Sequence, residues 1–109
     1  MELIDIAPGK LKLQAHDLFL RRSVLLSAGD FAAGNYNSMT IGWAGFGTMW
    51  NKPLLLVAVR PGRFTYPLME AGEDFTVTAF PESYKRALAF MGSHSGRDGD
   101  KASMANLTP

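Results

Sequence analysis

Two guanidinium groups and a hydroxyl lie close together at Arg60, Arg63 and Thr65, in the stretch VRPGRFTY. Their spacing places them just before or at the start of a predicted helix. Free backbone N–H groups and the positive end of the helix dipole favour an anion there. Arginine adds bidentate donors, so a phosphate monoester is the natural guest. The competing reading makes the arginines solvated loop residues and Thr65 merely a helix cap. Composition alone leans towards that second reading.

Two further clusters carry possible chemistry. The segment SHSGRDGDK, residues 93–101, follows a predicted helix. Its small residues let the backbone approach a ligand, while Arg97 and Lys101 add positive charge. Asp98 and Asp100 could instead pair with those cations, and local sequence favours a plain polar loop. The segment NSMTIGW, residues 37–43, reads as a strand with Thr40 and Gly42 on one face. Met39, Ile41 and Trp43 would share the other. A face of small and hydroxyl residues would let a flat ligand lie against the backbone. A strand at a barrel corner, curved at Gly42, explains the same residues equally well.

Other signals carry less. The glycines in GWAGFG, residues 42–47, run in the wrong order for a dinucleotide fingerprint, and no helix follows them. His16 and His94 are far apart, which argues against a metal site, and no motif supports a Ser–His–Asp triad. The six methionines and the aromatic side chains read as core. With no cysteine, disulfides, thiolate metal sites, iron–sulfur clusters and a thiol nucleophile are all excluded. Any redox centre must therefore be borrowed.

The elements that must position these residues are short. Residues 22–28 read as a buried strand, 29–37 as a loop rich in turn formers, and 38–43 as a second strand. After a glycine- and aromatic-rich stretch over 45–52, Pro53 opens a third run over 54–59. A helix is predicted over 65–71, with Thr65 as N-cap and Gly72 as its end. A fourth strand over 75–80 is broken by Pro81. Ser83 then caps a second helix through Met91, with Ala87, Leu88 and Met91 on one face and Gly92 as a stop. The tail over 93–109 reads as largely irregular. Four strands and two short helices suggest a mainly β protein, an antiparallel barrel or α+β domain.

The chain has 109 residues, 47% hydrophobic and 19% charged, which suits a single globular domain over 1–109. A net charge of +1 argues against a nucleic-acid partner, which normally meets a basic face. The longest apolar runs, 23–29 and 53–59, are strand-length, far short of a membrane span, and residues 1–10 lack a signal pattern. A soluble, cytoplasmic protein is the expectation.

Taken together, NSMTIGW (37–43), WNKP (50–53), VRPGRFTY (59–66), FTV (75–77), GSHSGRDGDK (92–101) and LTP (107–109) resemble the flavin reductase-like family. The flavoredoxin branch is the nearest in look, over about residues 23–109. The resemblance implies an FMN-binding split β-barrel, mainly β with short helices, with FMN held non-covalently and a homodimer with flavin near the interface. It implies that Asn37, Met39, Thr40, Ile41, Gly42 and Trp43 run beside the isoalloxazine and ribityl chain, largely through backbone groups. Arg60, Arg63, Thr65 and Tyr66 would hold the phosphate, and Ser95, Gly96, Arg97 and Lys101 would close over the cofactor. No side chain would act as acid or base. The protein would position FMN and tune its potential through nearby charge.

Family members continue beyond the LTP segment into further strands, so the expectation is a C-terminally truncated barrel or one completed by a partner chain. An open barrel leaves an unpaired edge that favours pairing between chains. Three functions remain open: an NAD(P)H-dependent flavin reductase, a flavoredoxin-like carrier between redox partner proteins, and a non-catalytic association domain.

Overall fold

The computed structural model describes residues 4–21 and 24–93. Its strands form two antiparallel sheets. The first contains β1 (Val24–Asp30), β2 (Asn35–Ile41) and β5 (Thr76–Ala79) in the order β2-β1-β5. The second is the hairpin of β3 (Ala44–Met49) and β4 (Lys52–Val57). Two short helices, α1 (Thr65–Ala71) and α2 (Lys85–Ser93), complete a mainly β molecule, as expected. No helix among the described residues is long and apolar enough to cross a membrane.

The apolar run VLL of β1 does not alternate, because this central strand is covered on both faces. Val24, Leu26 and Ala28 point to one side, where they meet Met39 and Ile41 of β2 and Phe19. Leu68 and Met69 of α1, with Leu55 and Val57 of β4, close that cluster. Leu25 points to the other side, against Leu88 and Met91 of α2 and Phe80. Of the predicted face of α2, Leu88 and Met91 are thus packed.

Several boundaries differ from expectation for local reasons. The loop expected over 29–37 shrinks to residues 31–34, because β1 runs to Asp30 and β2 starts at Asn35. Gly29 makes this possible: its φ is +110°, and a Cβ there would collide with the Asn35 carbonyl oxygen. The Ala33 N–H donates to Asp30 Oδ1 at 3.2 Å, and Gly34 N–H to the Phe31 carbonyl at 3.0 Å. These bonds do the work expected of a longer loop.

The glycine-rich stretch before Pro53 contains a whole strand, β3. Its register pairs Met49 with Lys52, which leaves a two-residue turn at Trp50 and Asn51. Both residues have positive φ, +50° and +58°. Two successive left-handed residues match the twist of a tight hairpin, and asparagine suits the geometry while tryptophan does not.

The helix over 65–71 begins and ends as expected, but Thr65 is not its N-cap. Phe64 occupies that position with helical angles and no side-chain cap, and Thr65 is the first helical residue. Gly72 ends α1 by donating its N–H to the Leu68 carbonyl. Ser83 lies in a 3-10 turn, Glu82–Tyr84, ahead of α2 rather than capping it. The second helix continues through Ser93, so Gly92 does not stop it. A π-helical turn at Asp17–Arg21, which no local sequence pattern marks, carries Phe19 into the core.

Candidate functional site

A cleft of ≈ 280 Å³ opens where β2 ends and the chain leaves β4. Its walls are Met39, Thr40, Ile41, Gly42, Trp43, Ala58, Arg60 and Arg63. Five of these are consecutive. Side chains alternate along a strand, so Met39, Thr40 and Ile41 of β2 can line one cleft in succession only through their backbone edge. Burial agrees: Met39 and Ile41 keep their side chains in the core at 4% and 7% exposure. Among the described residues β2 pairs in its sheet with β1 alone, so its other edge meets no described strand. Alternate residues of an antiparallel edge strand direct both N–H and C=O outward.

Gly42 stands just past that edge. A Cβ there would lie 3.3 Å from the Phe19 carbonyl oxygen, so the π-helical turn presses close behind the cleft wall. The Trp43 carbonyl accepts from Ala58 N–H at 2.9 Å. This bond joins the exit of β2 to the exit of β4 and fixes the two walls relative to each other.

The second wall carries the cations. Arg63 N–H donates to the Arg60 carbonyl at 3.0 Å, closing a turn around Pro61 and Gly62. Gly62 stays out of the left-handed region, and proline suits the first central position of such a turn. The turn brings both arginines to one cleft. Among the described residues neither is paired with a carboxylate, and Arg60 lies over the Trp43 ring, 4.8 Å from its centroid. Two unneutralised guanidiniums beside open backbone donors make an anion-binding surface.

Asn37 and Thr65 come together as well, though not as cleft lining. Asn37 Nδ2 donates to Thr65 Oγ1 at 2.8 Å, with Thr65 fully buried and Asn37 nearly so. This bond ties the start of α1 to β2. The Tyr66 phenol bonds the Glu70 carboxylate one turn along α1. That hydrogen bond, then the negative charge and some burial, raise its pKa above the ordinary 10.0. Ser95, Gly96, Arg97 and Lys101 lie outside the described residues. Ala58 was not anticipated as a wall residue, and no feature of its type or spacing signals that role.

The side chains of this cleft hold charge and shape but no acid–base pair. Among the described residues no three His, Asp or Glu side chains gather to hold a metal ion. The arrangement binds and orients.

Comparison with known proteins fits this geometry. The family model described as flavin reductase like domain matches residues 17–109. A solved structure, flavoredoxin of Desulfovibrio vulgaris (Miyazaki F), superposes with a TM-score of 0.71 at 27% identity, over 81% of this chain and 47% of that one. The chain thus spans about half the length of that protein. None of the curated proteins compared with it matches. Because the match runs from the turn behind Gly42 to the last residue, and a flavoredoxin shares the fold, the chain belongs to the flavin reductase-like family, in its flavoredoxin branch.

Proposed function

We propose that this chain binds FMN non-covalently at the cleft between the open edge of β2 and the Arg60–Arg63 turn, for electron or hydride transfer as an NAD(P)H-using flavin reductase. One observation carries the reading: among the described residues, two arginines with no carboxylate partner line the same cleft as a strand edge that no other strand pairs. The guanidiniums suit a doubly charged phosphate ester. The strand edge suits the hydrogen-bonding rim of a flat heterocycle, read through backbone groups of Met39, Thr40 and Ile41.

FMN, when bound, supplies the redox chemistry that no side chain here provides. Arg60 and Arg63 hold its anionic end, and Gly42 lets the wall pack closely on the Phe19 carbonyl behind it. Positive charge along the wall stabilises negative charge developing nearby. The cleft of ≈ 280 Å³ lies just below the usual ligand-pocket range of about 300–1,000 Å³. It therefore suits the phosphate and part of the cofactor, with the rest covered by another surface.

A second copy of the chain is the reading we adopt for that cover. The β3–β4 hairpin exposes Phe46, Met49, Trp50 and Leu56, an apolar set unusual for a free surface. A flavoredoxin-like carrier, passing electrons between proteins without an organic substrate, is the second reading, favoured by the structural neighbour's own description. Steady-state oxidation of NADH or NADPH with added FMN separates the two. Turnover supports the reductase, and no turnover with retained flavin supports the carrier.

A further inference from the structure

Trp43 is 59% exposed and belongs to neither apolar cluster, yet its ring is not idle. The Arg60 guanidinium carbon lies 4.8 Å from the ring centroid, and both side chains line the same cleft. The backbone reinforces the pairing. The Trp43 carbonyl accepts from Ala58 N–H, two residues before Arg60, so the backbone segments that carry the indole and the guanidinium are held side by side.

We propose that Trp43 is a positioning residue, whose indole face orders the Arg60 guanidinium before an anion arrives. The inference rests on the reading that the cleft takes FMN by its phosphate. A cation over a ring is held by the ring's quadrupole and uses no hydrogen-bond acceptor, so the guanidinium N–H donors stay available to the phosphate. A solvated arginine must give up rotamer freedom when it pairs with a ligand. One already resting on an indole has given up part of it beforehand, and the bound state gains accordingly. Trp43 thus acts on the phosphate through Arg60 rather than by touching the flavin ring.

The test compares FMN with riboflavin, which carries the same ring without the phosphate, by quenching of flavin fluorescence on the full chain. Trp43→Leu, Trp43→Phe, Arg60→Ala and the Trp43→Leu/Arg60→Ala double variant are measured, with circular dichroism as the check on folding. Trp43→Leu is expected to weaken FMN roughly two- to fivefold and to leave riboflavin unchanged, with Trp43→Phe near native. In the Arg60→Ala background the same substitution is expected to cost nothing further. Inorganic phosphate should compete with FMN less well in Trp43→Leu than in the parent. An equal loss for riboflavin would mean that the indole stacks on the ring itself and would overturn the proposal. An unchanged FMN affinity in Trp43→Leu, or an undiminished effect without Arg60, overturns it too. If Arg60→Ala leaves FMN affinity unchanged, the phosphate reading of Arg60 fails and this inference with it. If Arg60→Ala weakens FMN while Trp43→Leu does not, only the inference falls.

Discussion

Thr65 is fully buried with its Oγ1 2.8 Å from Asn37 Nδ2, so the pair holds the start of α1 against β2. Thr65→Val keeps the shape but removes the acceptor, leaving the asparagine amide unpaired in a dry place. The expected loss is about 1–3 kcal/mol of unfolding free energy, read from denaturant titration. Arg63 is expected to behave oppositely. Arg63→Ala should leave stability nearly unchanged and weaken FMN by roughly 1.5–3 kcal/mol, the value of a charge-assisted bond. Tyr66 gives a pH signature. Its phenol bonds Glu70 and has a raised pKa, so this contact contributes stability below the ordinary value of 10.0 and loses it as pH rises through the higher folded-state value. In a spectrophotometric titration referenced to Tyr66→Phe, Glu70→Gln is expected to bring Tyr66 back towards 10.0. Residue types were readable at this scale: arginines, hydroxyls and a glycine marked the cleft. Partners were not, because the Asn37–Thr65 bond joins residues distant in sequence, and Thr65 as a cap looked equally sound until the fold placed Asn37 beside it.

At the scale of elements, the two hairpins make opposite demands on their turns. Gly29 stands inside β1 at φ +110° with no room for a Cβ. Gly29→Ala is therefore expected to destabilise by about 1–3 kcal/mol, since both strain and collision oppose it. Trp50 occupies a left-handed turn position at φ +50° while 87% exposed. Trp50→Asn is expected to stabilise the monomeric chain by about 1 kcal/mol, visible as a rise in Tm in the Met49→Lys/Leu56→Lys background, because asparagine tolerates that region. The strands β1, β2, β4 and β5 were legible from apolar runs bounded by glycine and proline. The third strand was not, because its sequence AGFGTM carries two glycines and no clean alternation. Tertiary contact decides it: the cross-strand partners Leu54, Leu55, Leu56 and Val57 supply the apolar surface it lacks. The loop expected over 29–37 exceeds the real one because the turn formers Gly29 and Asn35 sit in paired strands.

At the scale of the whole molecule, two sheets share one core beneath α1, and the cleft lies where they meet the Arg60–Arg63 turn. The mainly β class was legible from short strands with turn signals between them. The arrangement into separate three- and two-stranded sheets was not, since pairing between distant strands leaves no local mark. Exposed Met49 and Leu56 on the β3–β4 hairpin carry the proposed contact with a second copy. Met49→Lys combined with Leu56→Lys is expected to shift the chain to a monomer in sedimentation analysis, because a charge buried at an apolar contact without a partner is costly. The proposed function depends on the grip of the two guanidiniums on a phosphate. The direct measurement is a parallel titration of FMN and riboflavin into the purified chain, followed by flavin fluorescence. FMN is expected to bind about tenfold or more tightly than riboflavin, as one charge-assisted pair already implies, and Arg63→Ala to remove most of that difference. Equal affinities for the two flavins, or no binding of FMN, would contradict it.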